Sequence, residues 1–263
     1  MRGWRTAYAS VIGTSHAATG TPCQDYGRCK VVRAGGSEVL IAAVSDGAGS
    51  ASRSEEGSTL AAEQFLDAFG SLAAEDPSLA GIGQHTVLEW AAGLREAIQD
   101  MAEGSGAAVS DFACTLLGAI VGPSRAMFVQ IGDGAIVVRD GASADYGWVF
   151  WPQHGEFANT TNFVTQDGFE QVLQIEFVEQ PLIEVAMFSD GIERLVLDLS
   201  ARAVHSPALR PIFEWLARTE PTPGDGEAAP GLAAFLSSER VNHRTDDDKT
   251  LVMASRAVPE LTV

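Results

Sequence analysis

Apolar positions in this chain recur at two periods, and the changes between them mark out its elements. Alternating or solid apolar runs cover residues 6–13, 28–32, 39–44, 112–121, 126–131 and 135–138, then 148–151, 171–177, 183–188 and 251–254. Each has the length and composition of a strand. After the third run the period becomes helical. Ala62, Phe65, Leu66 and Phe69 follow a Ser54 N-cap with Glu55 and Glu56 in its first turn. Val87, Trp90, Ala91, Leu94, Ile98 and Met101 then form one stripe, which predicts a second helix over about 85–101. Shorter helices are expected over 192–199, 208–218 and 232–239.

Between these elements lie turn and loop signals. Residues 15–26 read as a loop broken by Gly20-Thr21-Pro22, Gly35-Gly36 as a tight turn, and Gly132-Asp133-Gly134 as a hairpin. Residues 152–168 are polar and irregular, a candidate flap, and 220–231 form a Pro/Gly-rich surface loop. No repeat or linker divides the chain, so residues 1–263 are expected to form a single domain. Strands, two helices, many strands, helices and a last strand predict an α+β fold with antiparallel sheets.

Two of the strands end in the same device. The run 39–44 closes in Ser45-Asp46-Gly47, and the run 183–188 in Ser189-Asp190-Gly191. Asp-Gly by itself is an ordinary turn, but further acids stand at strand ends: Asp25, and the trio Asp246, Asp247 and Asp248. The meander of the first three strands brings Asp25 and Asp46 together. Carboxylates converging without basic partners repel strongly unless cations lie between them. An all-oxygen set suits Mg²⁺ or Mn²⁺ rather than zinc or copper. Two such ions sharing one carboxylate can activate a water for in-line attack on phosphorus. The chain has no Gly-rich phosphate cradle of the G-x-x-x-x-G-K-[ST] kind, and no serine with a suitably placed base.

Composition narrows the partners. With 17 Lys and Arg against 35 Asp and Glu, the net charge of −18 disfavours nucleic acid and anionic membranes. Three cysteines do not make a disulfide framework and fit a reducing compartment. Met1 to Arg5 lead into no apolar signal segment, and no apolar stretch has spanning length, so a cytoplasmic protein is expected.

Five short motifs in order now point to a family. Gln24-Asp25, Ser45-Asp46-Gly47, Phe112-Ala113-Cys114-Thr115 ahead of Gly132-Asp133, Ser189-Asp190-Gly191 and Asp247-Asp248-Lys249-Thr250 together resemble the metal-dependent protein phosphatases of the 2C type. Gly13-Thr14-Ser15-His16 with Pro22-Cys23-Gln24-Asp25 resembles a bacterial branch. The resemblance implies a four-layer α-β-β-α sandwich, two antiparallel sheets flanked by helices. It also implies two Mg²⁺ or Mn²⁺ ions, with room for a third. By resemblance Asp46 bridges two ions, Gly47 offers its carbonyl to one, Asp190 and Asp247 complete the set around the first ion, and Asp25 serves the second, mainly through water. Asp133 matches the holder of a looser third ion in bacterial members, a role that competes with its place in the hairpin. The implied reaction is hydrolysis of phosphoserine or phosphothreonine in proteins, such as the products of a Ser/Thr kinase. The alternative is a binding module of the same fold with little turnover.

That alternative rests on departures from the family pattern. Gln24 replaces an acid, the phosphate-binding arginine falls on Gly20, Ala48 stands where many members have histidine, and Asp248 replaces asparagine. Arg28 is no clear substitute for the arginine. His16 is the candidate for phosphate contact or leaving-group protonation, and Arg53 a second candidate phosphate contact. His154, in the candidate flap, and His243 are expected at the surface.

Overall fold

The computed structural model describes residues 3–153, 161–220, 224–225 and 228–257. The first sheet has strand order β1-β13-β9-β6-β7. It is built from β1 (Arg5–Val11), β6 (Ala135–Asp140), β7 (Gly147–Trp148), β9 (Leu182–Phe188) and β13 (Lys249–Ser255). The second has the order β12-β2-β3-β4-β5-β8, from β2 (Tyr26–Ala34), β3 (Ser37–Ser45), β4 (Leu116–Val121), β5 (Ala126–Ile131), β8 (Gln174–Val178) and β12 (Gly224–Asp225). All pairings within both sheets are antiparallel.

The solid apolar run of β3 has a simple cause. Leu40, Ala42 and Val44 face the other sheet, beside Phe128, Met187 and Val252. Val39, Ile41 and Ala43 face the opposite way, against Phe65 and Phe69 of α2 (Ser54–Glu75) and Val87 of α3 (Gln84–Ser105). A strand covered on both faces has no polar side to show. The first sheet is covered likewise. Ala7, Val137, Phe188 and Leu251 pack against Leu209 and Phe213 of α5 (Ser206–Leu216) and Leu232 of α6 (Pro230–Leu236). The result is the α-β-β-α sandwich that the resemblance implies. The remaining short elements are α1 (Thr14–Thr19), α4 (Glu193–Val196), α7 (Glu239–Asn242) and a ribbon of β10 (Leu197–Asp198) with β11 (Ala203–Val204).

Several readings differ from expectation. Gly132-Asp133-Gly134 is not a hairpin, because β5 and β6 belong to different sheets, and β1 leaves the expected meander to pair with β13. The loop 15–26 begins as helix α1, none of whose residues is buried, so it leaves no apolar period to read. Its end explains one departure from the family: Gly20 is the C-cap, at φ 73°, a left-handed conformation that glycine adopts without cost. Ser54 is the first helical residue rather than the cap of α2, because Arg53 occupies the cap position. Residues 109–112 form a 3-10 turn, so the strand expected from 112 starts at Leu116. The strand expected over 148–151 shrinks to Gly147–Trp148. The helix expected over 192–199 stops at Val196, because Leu197 and Asp198 pair with Val204 and Ala203. The helix over 232–239 divides into α6 and α7.

Candidate metal centre

Strand register puts the acids at one end of the sandwich. Tyr26 pairs with Ser45 across β2 and β3, so Asp25 and Asp46 both step off the sheet just beyond that pair. On the other sheet Phe188 lies between Leu251 and Ala135, which sets Asp190 beside the turn that carries Asp133 and the turn that carries Asp247 and Asp248. The sheets must approach closely for the two groups to meet. Gly27 allows it, because a Cβ there would fall 2.3 Å from Thr250 Cγ2.

Asp46, Asp133 and Asp190 each present a carboxylate oxygen within 4.8 Å of the other two. Thr115 locks the first: its Oγ1 accepts from Asp46 N at 2.9 Å, and its own N donates to Asp46 O at 2.8 Å. Ser45 Oγ holds Thr115 O at 2.6 Å. Thr161 Oγ1 donates to Asp133 Oδ2. Asp190 opens a 3-10 turn straight after β9.

Asp25 is buried and takes Ser189 Oγ on Oδ2 at 2.6 Å, while Thr250 N donates to the same serine at 3.0 Å. One hydroxyl therefore joins the two sheets. Asp25 Oδ1 is buried with no donor facing it, and the Asp46 carboxylate is its neighbour. Burial raises the Asp25 carboxyl to about 6. Burial, then repulsion from Asp133, Asp247 and Asp25, raises Asp190 to about 7. Asp46 is pushed well above the usual carboxylate range by burial and by its charged neighbours Asp25 and Asp190. Among the described residues no cation pairs with Asp25, Asp46 or Asp190, and the unbonded buried oxygen of Asp25 lies beside Asp46. A hard divalent cation fits this donor set.

Asp247 is exposed and stands at the margin. Its Oδ1 accepts from Asp248 N at 2.9 Å, its charge acts on Asp190, and its backbone carbonyl takes the buried Lys249 Nζ at 2.9 Å. Asp248 is the buried one of the acidic trio. It accepts Gly13 N on Oδ1 at 2.6 Å, Gln24 N on Oδ2 at 2.6 Å, and pairs with His16 Nδ1 at 3.0 Å. Gly47 donates its N–H to Gln24 O at 3.1 Å, which fixes the Asp46 turn against the residue before Asp25.

The two phosphate-side candidates stand differently. His16 is mostly covered and belongs to the Asp248 cluster. Arg53 is doubly bonded to Glu56, Nε and Nη2 each at 2.6 Å, with its guanidinium 4.6 Å above the Phe112 ring. His243 is exposed at the end of α7, and His154 lies outside the described residues. The pattern reading missed the residues that hold the acids: Thr115, Ser189 and Thr161. Ser189 had a signal, since both Asp-Gly turns are preceded by serine. Thr161 had none, because its partner is 28 residues away.

Comparison with known proteins agrees with this geometry. The sequence profile of the protein phosphatase 2C family matches residues 12–237. The chain is 37% identical over 253 residues to Serine/threonine-protein phosphatase 3 of Escherichia coli (strain K12), covering 95% of this chain and 98% of that one. Among solved structures it is similar to PppA, a key regulatory component of the T6SS in Pseudomonas aeruginosa, with TM-score 0.61, 16% identity, and 96% and 97% of the two chains covered. A bacterial serine phosphatase gives the same TM-score at 11% identity, covering 97% and 99%.

Proposed function

This chain belongs to the protein phosphatase 2C family, and from that premise we propose that it hydrolyses phosphoserine and phosphothreonine in proteins. The single observation behind this reading is the convergence of Asp46, Asp133 and Asp190, with carboxylate oxygens within 4.8 Å of one another, beside the buried Asp25. We assign Asp25, Asp46, Gly47, Asp133, Asp190 and Asp247 to hold Mg²⁺ or Mn²⁺, two ions with a looser third. Bound there, the ions supply an activated water and offset charge on the phosphoryl oxygens.

The chain's own residues do the rest. Thr115 fixes the backbone of Asp46, while Thr161 and Ser189 hold the carboxylates of Asp133 and Asp25, which reduces the ordering cost of binding an ion. In this reading His16, held through Nδ1 by Asp248, turns Nε2 to the substrate and protonates the departing serine or threonine oxygen. Arg53 contacts the phosphate from the start of α2, and must exchange Glu56 for it. No observation favours the turnover-free module over this reading. We place the activity in the cytoplasm, on the three free cysteines. Among the described residues no helix is long and apolar enough to cross a membrane.

The test is release of phosphate from a phosphoserine or phosphothreonine peptide with Mn²⁺ or Mg²⁺ added. Activity that needs the metal and is lost in Asp46→Asn and Asp190→Asn supports the reading. Activity that survives both substitutions, or wild-type protein inert at every metal concentration, overturns it.

A further inference from the structure

A groove of about 850 Å³ lies between α4, the β10–β11 ribbon, α5 and α7, lined by none of the candidate metal-holding acids but joined to them through the chain. Arg194, on its wall, comes four residues after Asp190, and Arg244 three residues before Asp247. Arg240 completes a set of three exposed arginines. Among the described residues none of their guanidinium groups makes an ion pair or hydrogen bond. Most arginines elsewhere do: Arg33, Arg53, Arg95, Arg125 and Arg139 all hold carboxylates.

The one carboxylate in the lining, Asp198, is bonded to Ser200 N, Ser200 Oγ and Ala201 N of its own turn. The groove is thus a cationic patch on a chain of net charge −18. Its apolar content is also unusual. Among the described residues five large hydrophobic side chains are exposed, and two of them, Leu199 and Phe235, line this groove. A third, Trp215, lines an adjoining hollow of about 310 Å³ that shares Ile212 and Phe235 with it. Cations and apolar side chains side by side are the composition of a protein-docking surface.

We propose that this groove docks an acidic segment of a partner protein, with its carboxylates on Arg194, Arg240 and Arg244 and large apolar side chains against Phe235 and Trp215. Charge complementarity selects this occupant. The chain's net charge of −18 opposes an acidic segment overall, and this patch of three arginines is where one is attracted. The apolar hollow separates a protein segment from a nucleic acid, which would need cations alone.

The test is fluorescence anisotropy of the full chain with a fluorescein-labelled peptide of alternating Glu and Leu or Trp, and needs no turnover. Saturable binding is expected that weakens as salt is raised. It should fall roughly tenfold or more in Arg240→Glu/Arg244→Glu and in Phe235→Ser, and stay unchanged in Arg33→Glu, which alters net charge elsewhere. Arg240→Gln/Arg244→Gln gives the same reading if charge reversal unfolds the chain. Absence of binding overturns the proposal, as does equal binding by the peptide with serine in place of its apolar residues. Tighter binding of single-stranded DNA or of phosphatidylserine vesicles overturns it as well. So does a groove filled by a second copy, seen as a dimer that the arginine variants dissociate.

Discussion

His16 Nδ1 lies 3.0 Å from Oδ2 of Asp248, and the same oxygen accepts the N–H of Gln24 at 2.6 Å. A backbone donor thus fixes the carboxylate, and the carboxylate fixes the imidazole. An asparagine at 248 has one accepting oxygen for donors that now approach both. Asp248→Asn should therefore lower stability by about 1–3 kcal/mol, the range for a buried donor left unpaired. Thermal unfolding of the metal-free protein checks this. An unchanged melting temperature would mean that Gly13 and Gln24 find other partners.

His16→Ala separates two roles for the imidazole. If it protonates the leaving oxygen, turnover of a phosphoserine peptide falls by about 10²–10⁴. Hydrolysis of p-nitrophenyl phosphate, whose leaving group departs without a proton, stays close to wild type. An equal rise in KM for both substrates would instead make His16 a phosphate contact.

Asp46→Asn should act in opposite directions on stability and activity. It removes a charge that burial and the neighbouring acids oppose, so the chelator-treated protein should melt higher. For a chain of this size each kcal/mol gained is worth about 2–4 °C. Metal-dependent hydrolysis should fall by more than about a hundredfold, since the contribution of the metal to the transition state is several kcal/mol. A lower melting temperature would show that Thr115 and the backbone depend on the charge.

The pH profile of the metal-free protein follows from Asp25, at about 6, and Asp190, at about 7. Both exceed the unfolded value of 3.8, so the folded state keeps protons that the unfolded chain has released. Their contribution to stability is therefore largest at low pH and is lost as pH rises from about 4 to about 7. The melting temperature in the presence of chelator should decline across that window, and less steeply in Asp190→Asn. A profile that rises there in both proteins would contradict the direction of these shifts.

Gly191→Ala tests how closely the two acidic turns are packed. A Cβ at 191 would sit 1.8 Å from the carbonyl oxygen of Asp248, so the turns of Asp190 and Asp247 must separate. Divalent-ion affinity, read by calorimetry, should drop by about 10–100-fold, the usual cost of disturbing the groups that orient ligands. Wild-type affinity in the variant would show that the turns move without consequence for the site.

Much of this arrangement was readable from residue order alone. The two Ser-Asp-Gly strand ends and the Asp247-Asp248 pair placed the acids, and the apolar run 39–44 placed the strand that carries the first of them. What escaped was local or remote bonding. Helix α1 buries nothing, so only the left-handed Gly20 betrays its end. The hub role of Asp248 depends on Gly13 and Gln24, more than 220 residues earlier, and spacing along the chain carries no trace of such a contact. Arg53 looked free because its partner Glu56 also reads as a helix-dipole residue, and only the fold shows the two joined.

The pairing of β1 with β13 has a consequence for how the molecule is made. Arg5 lies opposite Ser255 and Val11 opposite Lys249, so the earliest strand to leave the ribosome waits for the last of the described strands. Until β13 emerges, β1 has no partner in its sheet, and Asp248 is absent from Gly13, Gln24 and His16. The second sheet can assemble from neighbours in the chain, but the first cannot close early. A nascent chain halted before Asp247 would carry Asp25, Asp46, Asp133 and Asp190 yet lack the turn whose Asp248 bonds Gly13, Gln24 and His16. The first sheet, and with it the bonds of Asp248 to Gly13, Gln24 and His16, is therefore completed only once β13 has been made.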